Sequence, residues 1–435
     1  MATFHLLSLG CPKNTVDSQR LIGELARLGL TAAPSPEAAR VLIVNTCGFI
    51  REACEESLEA VLSLAGLKEQ GRLLVVAGCL PGRYGAQLEA ELPEVDLFFG
   101  PLAGQSEARA AARRIAVSLG LSLPEAACEP PGALLTPPWR AYVKIAEGCS
   151  NRCTYCTIPA IRGRRRSRAP EEIIQEVAAL ARRGVREVTL VAQDTSAYGA
   201  DLRPQTTLAA LLERLREASP APEWLRLLYL HPARVDERLV EAMCGGGSLL
   251  PYFDLPVQHA SAKVLRAMRR PYEARGILRL IERVRARSPQ AVVRASLMVG
   301  FPGEGKREFE ELLDFLRQAA LDHAGCFVFS PEEGTPAAAL RPRVSPRVAE
   351  ERRARLMALQ AEISLARNLA LVGQTLSVLV EEARGGQVVG RAARHAPEID
   401  GQVAARGRAR PGQMVQVRIT GASAYDLQGR VEAAS

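Results

Sequence analysis

The stretch "GCSNRCTYCTIP", residues 148–159, sets Cys149, Cys153 and Cys156 at the spacing C-x3-C-x2-C. Structural zinc takes four ligands, often as two C-x2-C pairs, and only Cys153 and Cys156 form such a pair here. A dithiol redox couple would leave Cys149 without a purpose. Thiolates also ligate iron–sulfur clusters, which usually take four of them. Three on one tight loop would hold three irons of a 4Fe–4S cube and leave the fourth iron open. An open position is what a metal needs to bind a substrate or cofactor.

A second set of thiols is spread out. Cys11, Cys47 and Cys79 each follow a short apolar run: "FHLLSLG", "RVLIVNT" and "RLLVVAG". Each also sits beside Gly or Asn (Gly10, Asn45, Gly48, Gly78). Helical periodicity in "VDSQRLIGELARLGL" and "EESLEAVLSLAGL" separates the runs, so the order is βαβαβ and the strands are expected to be parallel. In a parallel sheet successive strands end on one edge, so the three thiols should meet at a shared site there.

The remaining elements follow from the same patterns. "EPPGALLTPPW", residues 129–139, reads as a proline-rich linker. Beyond it "RAYVKIAEG", "EVTLVAQD", "LRLLYLHP", "YFDLPVQH", "VVRASLMVGFPG" and "AGCFVFSPEEGT" read as six strands separated by helices. Six βα units are too few for a closed eight-fold barrel, so a partial (β/α)6 barrel is expected. A long helix from Ser345 leads out of it, and residues 371–435 turn to short Gly-punctuated β runs, a small antiparallel β-barrel. The expected fold is α/β multidomain, with segments at 1–130, 136–365 and 368–435.

Charge follows the segments. Residues 1–130 carry 11 basic and 15 acidic side chains, residues 131–370 carry 37 and 27, and residues 371–435 carry 8 and 6. The basic middle suits an RNA-rich neighbour or a solvated surface. Arg162 to Arg168, five Arg in seven residues, reads as a solvated face that could also orient an RNA-rich particle. No apolar run is long enough to span a membrane, and "MATFHLLSLGCPKN" lacks an export signal, so a cytoplasmic location is expected. In a reducing compartment ten cysteines point to metal or catalytic thiols. Cys54, Cys128, Cys244 and Cys326 read as structural, and His259 as either a site residue or a core histidine.

The cysteine loop after the first strand of a partial barrel, with Tyr155 before its last Cys, resembles the radical S-adenosylmethionine enzymes. That resemblance implies that the open iron chelates S-adenosylmethionine, whose reductive cleavage yields a 5′-deoxyadenosyl radical. Tyr155, Gln193 and Gln258, the last two at strand ends, are the expected contacts to S-adenosylmethionine. "SLGCPKNTVDS", "IVNTCGFI", "AGCLPGRY", "RGRRRSR", "QDTSAYGAD", "PVQHAS" and "GFPGE" extend the resemblance, nearly end to end, to the methylthiotransferases. Gln19 and Gly305 depart from that pattern, where an acidic residue and Thr are usual.

The methylthiotransferase resemblance implies two 4Fe–4S clusters, with Cys149, Cys153 and Cys156 holding the radical-generating one and Cys11, Cys47 and Cys79 an auxiliary, sulfur-bearing one. It also implies a C-terminal TRAM domain and an electron donor. "GCPKN" and "NTCGFI" are most similar to the RimO branch, which modifies an aspartate of small-subunit ribosomal protein twelve. The expected partner is that protein or the assembling small subunit, with rRNA contact and no membrane. A tRNA adenosine methylthiotransferase of the MiaB branch, which more often has "GCQMN", is the alternative. A non-catalytic iron–sulfur RNA-binding protein is the further one. Only Tyr425 among residues 371–435 is aromatic, which favours a protein surface over stacked bases as the partner.

Overall fold

The computed structural model describes residues 2–68, 71–121 and 134–432. Cys128 and residues 129–133 of the expected linker lie outside the described residues.

The N-terminal sheet has five parallel strands in the order β2-β1-β3-β4-β5: β1 (Thr3–Ser8), β2 (Thr31–Ala32), β3 (Val41–Thr46), β4 (Leu73–Gly78) and β5 (Leu97–Phe99). β3 and β4 are buried along nearly their whole length, which is why they read as unbroken apolar runs. Helices Pro12–Arg27 and Gln105–Ser118 cover one face through Leu21, Leu25 and Ile115, and helix Arg51–Ala65 covers the other through Val61 and Leu64. β2 and β5 were not foreseen, because two or three residues are too few to show a period.

The second core is a partial barrel. β6 (Arg140–Lys144) leads into a short hairpin of β7 (Ala146–Glu147) and β8 (Arg166–Ser167) that frames the cysteine loop. β9 (Glu187–Val191), β10 (Trp224–Leu227), β11 (Tyr252–Gln258), β12 (Val292–Val299) and β13 (His323–Val328) follow. These six barrel strands run parallel as two triplets, β10-β9-β6 and β11-β12-β13, joined between triplets by the parallel bridge Leu225 to Leu249 and by the Leu230 N–H donating to the Asp254 carbonyl at 2.8 Å. Helix Pro346–Leu369 leaves the barrel. Its Gln360 and Ser364 donate to the carbonyls of Leu321 and Asp322 at 3.0 and 2.8 Å.

The C-terminal barrel closes in the order β14-β15-β16-β18-β17: β14 (Thr375–Arg384), β15 (Gln387–Ala392), β16 (Val403–Arg406), β17 (Met414–Ala422) and β18 (Leu427–Val431). Its pairings are antiparallel except β16–β18, which is parallel. The three cores share a junction where Val16, Tyr142, Trp224, Tyr252, Leu379 and Ala396 pack together. Arg391 of β15 reaches Glu187 of β9 at 2.6 Å, and Arg226 holds the other oxygen of that carboxylate at 2.7 Å. No helix among the described residues is long and apolar enough to cross a membrane.

Candidate cluster-binding site

Cys11, Cys47 and Cys79 stand just past the C-terminal ends of the adjacent strands β1, β3 and β4. Local sequence keeps them close. Gly10 has φ +88°, and a Cβ there would lie 2.8 Å from Cys47 Cβ, so only glycine lets the two turns meet. Asn14 donates to the carbonyls of Leu9 and Thr46, both at 2.9 Å, and Asn45 donates to the Asn14 carbonyl at 3.0 Å. These two amides tie the turn after β1 to the turn after β3. Ser57 grips Cys47 from both sides, accepting from its N–H at 3.0 Å and donating to its carbonyl at 2.9 Å.

Cys149, Cys153 and Cys156 follow β7. Gly148 has φ +69°, and a Cβ there would lie 2.5 Å from the Arg164 carbonyl oxygen. Thr154 anchors the loop by donating its hydroxyl to Ala267 O at 2.8 Å and its N–H to Met268 O at 3.2 Å. The Tyr155 ring stands edge-on to Phe301 at 6.5 Å, packed beside Val264 and Met268. Arg270 donates to Cys153 Sγ at 3.6 Å and to the Pro256 carbonyl at 2.6 Å.

The two cysteine-bearing regions are in contact. The helix that begins at Cys79 packs on the helix Ile158–Arg162 that follows Cys156. Thr157 donates to the carbonyl of Phe49, two residues past Cys47, at 3.2 Å. Arg162 crosses the boundary: its Nε donates to Cys79 Sγ at 3.3 Å, its Nη1 to Asp17 and Glu147 at 3.0 Å each, and its Nη2 to Asn14 Oδ1. Lys144 joins Glu147 at 2.6 Å and also Asp17. Arg162 is therefore buried at 5% exposure, which corrects the reading of Arg162 to Arg168 as a solvated face. Of the other four, three pair at or near the surface: Arg165 with Asp201, Arg166 with Glu107 and Arg168 with Glu176.

Both sets of thiols fit a cationic cluster. Burial pushes the Cys47 thiol up to about 11, and Cys11, Cys79 and Cys54 nearby push the same way. Burial likewise lifts Cys156 to about 12, with Cys153 and Cys149 adding to it, and raises Cys149 and Cys79. Three neighbouring thiols cannot all ionise unless a metal supplies the compensating charge. Cys11 is the exception. Burial opposes its ionisation, but Lys13 and Arg162 outweigh that and lower it. Among the described residues no three of His, Cys, Asp and Glu are placed to hold a single metal ion.

Gln193 follows β9, and its buried Oε1 has no hydrogen-bond partner. Gln258 ends β11 with φ +67°, a strained backbone for a residue with a side chain. Between these strand ends Asp194 accepts from Asn151 of the cysteine loop at 2.8 Å and from Arg234 at 2.7 Å. His259 is fully buried; its Nδ1 accepts from the Ser261 N–H at 2.9 Å, and its Nε2, 3.5 Å from Glu304, makes no hydrogen bond among the described residues. Sequence reasoning missed Arg162, Arg270, Asn14 and Lys13. The quoted "GCPKN" carried a signal for the last two and "RGRRRSR", which begins at Arg162, one for the first.

Residues 143–316 match the radical SAM superfamily, residues 3–100 the uncharacterized protein family UPF0004, and residues 372–431 a TRAM domain. The radical S-adenosylmethionine methyltransferase TsrM from Kitasatospora setae shares the fold, with a TM-score of 0.57 at 14% identity, covering 88% of this chain and 79% of that one. Fold and cysteine loop together define a radical S-adenosylmethionine enzyme. Ribosomal protein uS12 methylthiotransferase RimO of Desulfosudis oleivorans is 45% identical over 438 residues, 98% of this chain and 99% of that protein. The RimO of Heliobacterium modesticaldum is 46% identical over 433 residues, 98% of this chain and 94% of that protein. The chain belongs to the RimO family of methylthiotransferases.

Proposed function

We propose that this chain inserts a methylthio group at the β-carbon of an aspartate in ribosomal protein uS12. The observation that carries the reading is the contact, from Thr157 to Phe49, between the loop that bears one cysteine triad and the strand-end turns that bear the other. Cys149, Cys153 and Cys156 hold one 4Fe–4S cluster, and Cys11, Cys47 and Cys79 hold the other. When bound, S-adenosylmethionine and the clusters supply hydrogen-atom abstraction, a methyl group and the sulfur that carries it. Radical chemistry is needed because a β C–H bond beside a carboxylate is too weakly acidic for a side-chain base.

The chain's own residues bind and orient. Arg270 steadies Cys153 from the barrel, and Arg162 steadies Cys79 from across the domain boundary. The unpartnered Gln193 Oε1 and the strained Gln258 line the barrel mouth where S-adenosylmethionine binds, while Tyr155 anchors the loop beneath it. Division at 1–130, 136–365 and 368–435 gives each triad its own core and leaves the C-terminal barrel to dock on the small ribosomal subunit, its rRNA included. An external electron donor completes the system, and the ribosomal substrate places it in the cytoplasm. Mass spectrometry of uS12 and of bulk tRNA from cells lacking this gene tests the reading. Loss of the methylthio mark from uS12 alone supports it, and loss from tRNA alone overturns it.

A further inference from the structure

Lys13, two residues past Cys11, is 8% exposed, yet it makes no ion pair with a carboxylate among the described residues. Burying an ammonium with no carboxylate beside it is costly, so a chain that does so has a use for it; its ionisable neighbours of opposite sign are Cys11 and Tyr229, and a cluster would occupy Cys11. The acids around it are committed elsewhere. Asp17 and Glu147 are balanced by Lys144 and Arg162, which leaves that network neutral. Asp254 is held by Arg294 at 2.9 Å. That leaves Lys13 with no carboxylate of its own among the described residues.

Its seat is also unusual. Lys13 Nζ lies 3.7 Å from the centroid of the Tyr229 ring, a cation–π contact that holds an ammonium without neutralising it. Tyr229 has φ +65°, a left-handed backbone that a bulky side chain adopts only under constraint. Asp254 accepts from its N–H at 2.9 Å, and its carbonyl accepts from the Thr195 N–H at 3.0 Å. Thr195 adjoins Asp194, which takes the hydrogen bond from Asn151 in the radical-cluster loop. Lys13 adjoins Cys11 along its own helix and is linked, through Tyr229 and Thr195, to the Asn151–Asp194 pair at the radical-cluster loop.

We propose that Lys13, seated on Tyr229, binds the carboxylate of the target aspartate and thereby selects it. A carboxylate at that point would give Lys13 an acidic partner and hold the aspartate beside Cys11, next to the barrel mouth that carries Tyr229. This inference rests on the uS12 reading above. It assigns substrate recognition to a residue of the N-terminal domain that is not a cluster ligand.

The test compares binding of uS12 with binding of uS12 whose target aspartate is replaced by Asn. Calorimetry is run without reductant, so no turnover is required. Wild type should bind the Asp form about 10- to 100-fold more tightly, the range expected for a hydrogen bond to a charged group. Lys13→Met should bind the two forms equally, and Lys13→Arg should keep the preference. Each comparison is made within one protein, so partial cluster loading cancels from the ratio. A Lys13→Met protein that keeps the wild-type preference, or a wild type with none, overturns the inference. Wild type that is supplied with S-adenosylmethionine and reductant yet leaves the mass of uS12 unchanged overturns the uS12 reading, and the inference with it.

Discussion

Replacing Arg162 with Met removes one charge from the network that joins the N-terminal domain to the barrel. Arg162 is buried, and it serves Asp17, Glu147, Asn14 and Cys79 at once. Removing one partner of a buried ion pair typically costs about 3–5 kcal/mol, because the charge left behind has lost its compensation. Glu147 gives an independent bound. Burial would raise its carboxyl, but Lys144 and Arg162 overcome this and hold it at about 2 instead of 4.5. A shift of that size corresponds to about 3 kcal/mol at neutral pH, of which Arg162 supplies only part, since Lys144 faces the same group. The variant should therefore lose about 2–4 kcal/mol at this junction. The chain's two tryptophans, Trp139 and Trp224, both pack in the cluster where the three cores meet, so their fluorescence in a urea titration reports the junction directly. The sign of the pH dependence follows as well. A depressed carboxyl contributes fully above about pH 4.5 and loses that contribution as pH falls through 2, so the wild-type excess over the variant should shrink below pH 4. A variant within 0.5 kcal/mol of wild type, the ordinary range of surface changes at roughly that size, would refute the assignment of Arg162 as the tie between the domains.

Three further outcomes follow. Cys149→Ala should abolish reductive cleavage of S-adenosylmethionine, whereas Cys47→Ala should retain cleavage under dithionite and fail to insert sulfur; chromatography of 5′-deoxyadenosine separates the two. Gly10→Ala should lose about half of the bound iron, read by iron and sulfide analysis, because a Cβ at φ +88° and 2.8 Å from Cys47 spreads the N-terminal triad and leaves the barrel loop untouched. His395 is fully buried, and burial, with His323 and Arg394 beside it, holds its pKa well below the ordinary value. A depressed imidazole must stay neutral in the fold, so stability should be flat above about pH 6.5 and fall below it, and His395→Phe should remove part of that fall in a thermal scan against pH.

What the sequence made legible depends on range. β3 and β4, the helix Pro12–Arg27 and the six barrel strands announce themselves through local periodicity, and the cysteines through their spacing. Convergence of Cys11, Cys47 and Cys79 follows from a topological rule, since parallel strands end on one edge. Arg162 was hidden because its partners Asp17 and Asn14 lie on another domain, and an arginine inside a basic run looks like surface. The strained backbones of Tyr229 and Gln258 leave no mark in composition. Docking of Arg391 onto Glu187 was equally invisible, because a single long-range ion pair has no period and no motif.

The central claim is that one site takes a hydrogen atom from the β-carbon of a uS12 aspartate and puts a methylthio group in its place. The direct test is to supply the reconstituted protein with uS12 carrying deuterium at the aspartate β-carbon, together with S-adenosylmethionine and reductant. Deuterium in the recovered 5′-deoxyadenosine, matched by methylthio-aspartate at the labelled residue, is the predicted result. Methylthio-aspartate without deuterium transfer, or transfer with the sulfur delivered to another molecule, would contradict the account.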